Sequence, residues 1–402
     1  MKSLDFGRDA VCACLVAVLL AACGGSQPPI GAPGRSAAAS SSVAYSVIHS
    51  FGGGKDGAIL RASLLDVEGT LYGTTYEGGS KGCQNSAGCG TVFSIAPSGT
   101  ETVLHVFRAR TSDGANPVAS LVDVNGTLYG TTQSGGAREY DGTVFSITTS
   151  GAESVLHSFG GMGDGITPSA GLVLVDNVLY GTTWQGGVTN DGTVFTITPK
   201  GKEAVLYSFR GTPDAENPLA GFLNDRGTLY STTLGGGSFH KGAVFTIAPS
   251  GAESVLYSFK HAHDGAHSEA PLINVNGTLY GNTVDGGRDE SGTIFSITAG
   301  GAETVLHYFG KDVRHDGRHP TGNLIDVNGT LYGTTFEGGA GGLGTIFSIT
   351  PSGRETLLHS FTGKPGDGAN PQAGLVNVNG TLYGTTEFGG TNGDGTVFSI
   401  TP

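Results

Sequence analysis

Seven near-copies of one set of motifs constrain this chain more than any other feature. The dipeptide Leu-Tyr, followed by Gly or once by Ser231, places Tyr72, Tyr129, Tyr180, Tyr230, Tyr280, Tyr332 and Tyr383 at gaps of 57, 51, 50, 50, 52 and 51 residues. A second motif, usually Gly-Thr-Val-Phe-Ser-Ile, gives Phe93, Phe145, Phe195, Phe245, Phe295, Phe347 and Phe398. A third, usually Val-Leu-His-Ser-Phe, gives Phe51, Phe107, Phe159, Phe209, Phe259, Phe309 and Phe361. Residues 43–402 thus divide into seven units of about 51 residues, a period at the long end of the propeller range. Such repetition overrides the expectation of two or three unlike domains for 402 residues.

Each unit reads as four short strands rich in Val, Ile, Thr, Tyr and Phe. In the second unit these are A (118–124), B (127–132), C (143–148) and D (153–159). Asn125-Gly126 between A and B is a tight-hairpin signal, because both central residues of that turn need positive φ. Four antiparallel strands repeated seven times predict an all-β, seven-bladed β-propeller. The phase of the repeat supports closure. The body opens on a D-type strand and ends after a C-type strand, so the N-terminal strand is expected to complete the last blade and remove its open edges. One strand-A position carries Ala62, Ala119, Ala170, Ala220, Ala270, Gly322 and Ala373, small residues suited to seven strands converging on an axis. Tyr of B and Phe of C are expected to pack between blades.

The run of Leu-Tyr-Gly-Thr-Thr, Gly-Gly, Gly-Thr-Val-Phe-Ser-Ile and Leu-His-Ser-Phe resembles the bacterial "GloVer" tandem repeat of choice-of-anchor proteins, across all seven units. The resemblance implies exported, surface-anchored proteins with varied anchors, and no particular activity. Kelch and WD repeats share only the outline: the tryptophan expected after the kelch double glycine is missing, and the single Trp184 excludes a WD signature.

The first 42 residues read as export and attachment. Lys2 and Arg8 precede an apolar stretch over 10–22, of signal-peptide length and too short to span a bilayer. Leu20-Ala21-Ala22-Cys23 resembles a bacterial lipobox. The expected organisation is a lipoprotein signal peptide (1–22), lipidation of Cys23, a Gly/Pro/Ala/Ser tether (23–42) and the propeller (43–402). Attachment to the outer membrane or cell surface follows, with the membrane contacted through that lipid. An exported chain meets an oxidising compartment, so the two body cysteines, Cys83 and Cys89 in one glycine-rich insertion, are expected to form a disulfide. A net charge of −13 and the lack of a basic run argue against nucleic acid. A monomer is expected.

Strand parity puts the tight A–B and C–D turns at one end of every blade and the long B–C and D–A connections at the other. The long-loop face is therefore the expected binding face. The variable pairs in the Thr-Thr-x-x-Gly-Gly loops supply candidates: Tyr76, Glu77, Trp184, Gln185, Asp285, Phe336, Glu337, Glu387 and Phe388. Aromatics beside carboxylates and amides suit stacking on sugar rings with hydrogen bonds to hydroxyls. Asp56, Asp113, Asp164, Asp214, Asp264, Asp316 and Asp367 recur in the D–A loops. They read either as Asx-type turns or as seven carboxylates converging on one axis around a hard cation. The D-strand histidines His49, His105, His157, His307 and His359 read as outer-rim packing, since Tyr207 and Tyr257 replace them. No catalytic motif is visible and no cofactor is implied. The expectation is a binding module for a glycan or protein; the alternative is a carbohydrate-active enzyme (lyase, lactonase or glycosidase) at the same face.

Overall fold

A computed structural model describes residues 43–402, apart from 80–82, 84–86, 111, 162 and 313. The signal peptide, Cys23 and the tether lie outside the described residues. Seven four-stranded antiparallel sheets form, each in the order A-B-C-D. In blade 2 the strands are Val122–Val124, Thr127–Thr132, Thr143–Thr148 and Glu153–Ser158. The hairpin reading holds locally: Asn125 and Gly126 take φ of 54° and 81°. Strand A is shorter than expected. Its first four residues, 118–121, form no ladder, because they sit where the seven blades converge and border a cavity rather than a neighbouring strand.

The A strands of successive blades touch in a closed ring, the last reaching the first. The seventh sheet is completed by the chain's first strand, Ala44–Ser50. It pairs antiparallel with the last strand, Thr396–Thr401, from Ala44 opposite Thr401 to Ser50 opposite Thr396. Every C–D pair carries a register shift at the same place, and the closing pair shares it at Val47/His49.

The core lies between blades, as the repeated aromatics require. Tyr129, Val144 and Phe159 of blade 2 pack with Leu179, Phe195 and Ile197 of blade 3. The D-strand Phe of each blade meets the C-strand Phe of the next edge-on. Phe159–Phe195 lie 5.0 Å apart and the closing pair Phe51–Phe93 5.1 Å apart. Such pairs add about 0.5–1.5 kcal/mol beyond their burial. The glycine that follows Leu-Tyr in every blade but the fourth makes room for this layer: a Cβ on Gly130 would stand 2.7 Å from Phe145 Cζ.

The Thr-Thr pair does two jobs. The second threonine ties B to C, as in the Thr132–Thr143 hydroxyl contact of 2.7 Å. In blades 2, 3, 4, 6 and 7 the first donates across the blade boundary to the backbone of the alanine ring. Thr131 donates to Ala170 O, Thr232 to Ala270 O, Thr334 to Ala373 O and, across the closure, Thr385 to Ala62 O at 3.1 Å. Where the ring carries Gly322, the preceding blade carries Asn282, whose amide reaches Gly322 O at 2.7 Å.

Candidate functional site

The residue just before each ring alanine or glycine differs in every blade: Arg61, Val118, Ser169, Leu219, Glu269, Thr321 and Gln372. The ring position itself (Ala or Gly) and the position two residues after it (Leu or Phe) are near-uniform, so fold alone does not set this one. All seven of these residues border one cavity of about 450 Å³. The cavity lies on the axis, where the D–A connections reach strand A, and hence at the long-loop end. Its volume falls within the range of small-molecule sites.

One side of the cavity is a chain of polar contacts through four blades. Arg61 donates through Nε to Glu387 Oε1 at 2.9 Å, and its Nη2 stands 2.8 Å from the same oxygen. The Glu387 side chain is 6% exposed and that of Arg61 34%. The guanidinium lies over the Tyr76 ring at 4.1 Å. The Tyr76 hydroxyl then donates to Gln133 Oε1 at 3.5 Å, and Gln133 Nε2 to Ser169 Oγ at 3.4 Å.

Glu269 stands three blades away around the ring from Arg61. Burial, reinforced by the Asp285 carboxylate, pushes it up to about 7. Asp285 is itself flanked: His267 Nδ1 is 2.9 Å from one oxygen and His319 Nδ1 3.3 Å from the other. Between these poles, Thr321 Oγ1 and Gln372 Oε1 are buried without a hydrogen-bond partner among the described residues. Asn323 closes the gap beside them by accepting a hydrogen bond from Ser63 at 3.1 Å. It does so over Gly374, where a Cβ would overlap the Asn323 side chain.

The loop candidates divide. Tyr76 and Glu387 reach the cavity through Arg61, and Asp285 acts on Glu269. Glu77, Trp184, Gln185, Phe336, Glu337 and Phe388 are not among the lining residues. Their positions differ from one another: Trp184 is half-buried with Nε1 lacking a hydrogen-bond partner, and Phe388 is 40% exposed. These loops pair with the D–A connections, as Gly165–Ile166 pairs with Gln185–Gly186. The ring position was legible in the sequence by the same comparison of units, applied one residue before the alanines instead of in the loops.

The aspartates do not converge on the axis. Each sits beside the outermost strand of its blade. Asp164 accepts from Gly160 N at 3.2 Å, Gly165 N at 2.7 Å and His157 Nε2 at 3.1 Å. Asp214 accepts from the Tyr207 hydroxyl at 2.8 Å. The axial-cation alternative is thereby set aside in favour of the turn reading: local hydrogen bonds hold these side chains beside the D strands. Cys83 and Cys89 are joined as a disulfide, with Cα atoms 5.4 Å apart.

Fold and site together define a closed seven-bladed propeller of near-uniform repeats with one divergent, polar cavity on its axis. The chain belongs to the Gloeobacter/Verrucomicrobia repeat family, whose model matches residues 37–232 and again 217–402. No curated protein matches it. Among solved structures it is similar to PorZ of Porphyromonas gingivalis, an essential bacterial surface component of the type-IX secretion system. The identity there is 14% and the TM-score 0.51, over 88% of this chain and 47% of that one. It is also similar to a gluconolactonase from Xanthomonas campestris (12% identity, TM-score 0.44, 89% of each chain). A puromycin-hydrolysing peptidase from Mycobacterium tuberculosis gives 11% identity and a TM-score of 0.49, over 81% of this chain and 50% of that one. At such identities the likeness bears on fold alone.

Proposed function

We propose that the protein is a binding module that takes a small polyhydroxylated ligand, such as the end of a glycan, in the axial cavity of its long-loop face. The observation that carries this reading is the ring of seven unlike residues, Arg61 to Gln372, at one position of seven repeated blades around one cavity. The cavity offers donors from Arg61 and acceptors from Gln372 and Glu269, with apolar Val118 and Leu219 between, a mixture suited to a sugar's hydroxyls and its C–H faces. A lipid on Cys23 would hold the chain at the bacterial surface. The first strand starts at the tight-turn end, opposite the long-loop end that carries the cavity.

A glycan array probed with the intact protein tests the reading. Retention on a defined set of glycans is expected, with R61A and Q372A each weakening it. Equal signal from wild type and both variants would place binding elsewhere and reject this site. One observation favours the enzymatic alternative: Glu269, held up to about 7, is suited to donating a proton near neutrality. Turnover of a bound glycan or lactone that E269Q abolishes while binding persists would establish it.

A further inference from the structure

The blade boundaries carry a second kind of cluster at the outer rim. A D-strand histidine, the aspartate of the following connection and the first glutamate of the next D strand come together. His49, Asp56 and Glu101 form one such trio, His105, Asp113 and Glu153 the next, and His157, Asp164 and Glu203 the third. Within each trio the donor atoms lie within 4.8 Å of one another. The histidine side chains are only 20–22% exposed. The glutamate Oε1 is buried without a hydrogen-bond partner among the described residues in every trio, as it is in Glu253, Glu303 and Glu355, and in the first trio His49 Nε2 is as well.

The next two boundaries show what fills this space when no imidazole is present. The Tyr207 hydroxyl donates to Asp214 at 2.8 Å and reaches Glu253 at 3.5 Å. The Tyr257 hydroxyl does the same to Asp264 and Glu303, at 2.6 and 3.4 Å. There one phenol proton bridges two carboxylates. In the histidine trios the imidazole stands in that place, with His157 Nε2 4.0 Å from Glu203 Oε2.

We propose that these three trios are sites for a divalent transition metal of the zinc type, with His49, Asp56 and Glu101 the foremost. One imidazole nitrogen and two carboxylates form a zinc donor set that leaves a fourth position for water. Tetrahedral ligands on bonds of about 2.1 Å stand about 3.4 Å apart. The His–Asp separations of 3.4, 3.2 and 3.1 Å already match, so the glutamate alone has to swing inward. Two carboxylates beside a neutral imidazole also carry the charge that one dication balances. The aspartates are pre-oriented from behind: Gly52 N holds Asp56 at 2.7 Å, and Gly165 N holds Asp164 at 2.7 Å. His49 lies on the first strand and Glu101 on blade 1. A metal at the first trio therefore fastens the strand that closes the ring.

The test is a titration of the intact, chelator-stripped protein with zinc chloride, read by calorimetry and by metal content after gel filtration. Three ions per chain are expected, one for each trio, with a rise in melting temperature that EDTA reverses. H49Y copies the two tyrosine boundaries and should bind one ion fewer; H49Y/H105Y/H157Y should lose all three of these ions. If the tyrosine variants misfold by circular dichroism, E101Q/E153Q/E203Q, which keeps side-chain shape, should lose the metal instead. Wild type that retains no zinc, or the triple variants retaining as much as wild type, overturns the proposal.

Discussion

Arg61 and Glu387 are 326 residues apart in sequence yet share a hydrogen bond at the mouth of the axial cavity. Their worth is unequal. Glu387 is almost fully buried, so removing Arg61 strands a carboxylate away from water, at a cost of about 1–3 kcal/mol. R61A should lower stability by that amount in urea unfolding. R61M/E387L should recover most of it while losing ligand, since no charge is then left unpaired. Full recovery of binding in the double variant would show that the guanidinium only props the loop. A second residue-scale effect sits at the rim. Burial, then Asp214, pushes Glu253 up to about 7, and burial, then Asp264, does the same to Glu303. Between about 4.5 and 7 these carboxyls hold more protons folded than unfolded. Stability is therefore full below that window and falls as pH rises through it. E253Q/E303Q should melt above wild type at pH 8 and lose that advantage near pH 4.5. An offset that does not change with pH would mean that both groups are ionised in the fold.

At the scale of the strand, the closing element does what six interior D strands do. Its Phe51 meets Phe93 as Phe159 meets Phe195, and its ladder to 396–401 carries the same register shift. Deleting residues 43–51 should therefore lower the melting temperature and expose a C-strand edge to other chains. Concentration-dependent association in sedimentation velocity is the expected sign; a truncated chain that stays monomeric and equally stable would show that closure adds nothing. Strand B has its own constraint. Gly130 lies against Phe145 and Leu121, so G130V should overpack the layer at about 1–3 kcal/mol. Blade 4 shows how one larger residue is accepted: Ser231 turns its hydroxyl to Gly221 O at 2.9 Å.

At the scale of the molecule, the seven boundaries are equivalent in packing, and no single one is the seam except by where the chain is cut. Ala44 opposite Thr401 occupies the place that a C–D turn fills in the other blades. A permuted chain joined there by a short linker and opened at Ser150-Gly151 should fold to a monomer melting within a few degrees of wild type. Failure to fold cooperatively would show that the native seam has a role beyond pairing.

Number of blades, strand order, closure and the inter-blade aromatics were legible from the sequence alone. They depend on periodicity, turn chemistry and residue size, which repeat with the chain and need no knowledge of partners. Asn125-Gly126 determines its hairpin wherever the blade sits, and seven small residues at one position require convergence. Only the tertiary structure decided the site. Arg61 meets Glu387, and His49 meets Glu101, because the sheet closes on itself and brings distant side chains within hydrogen-bond reach. The aspartates were open in sequence to local turns or to an axial ring and stand beside the outer strands, since which end and which radius a loop residue occupies is set by how its connection folds back, through short-range bonds such as His157 to Asp164.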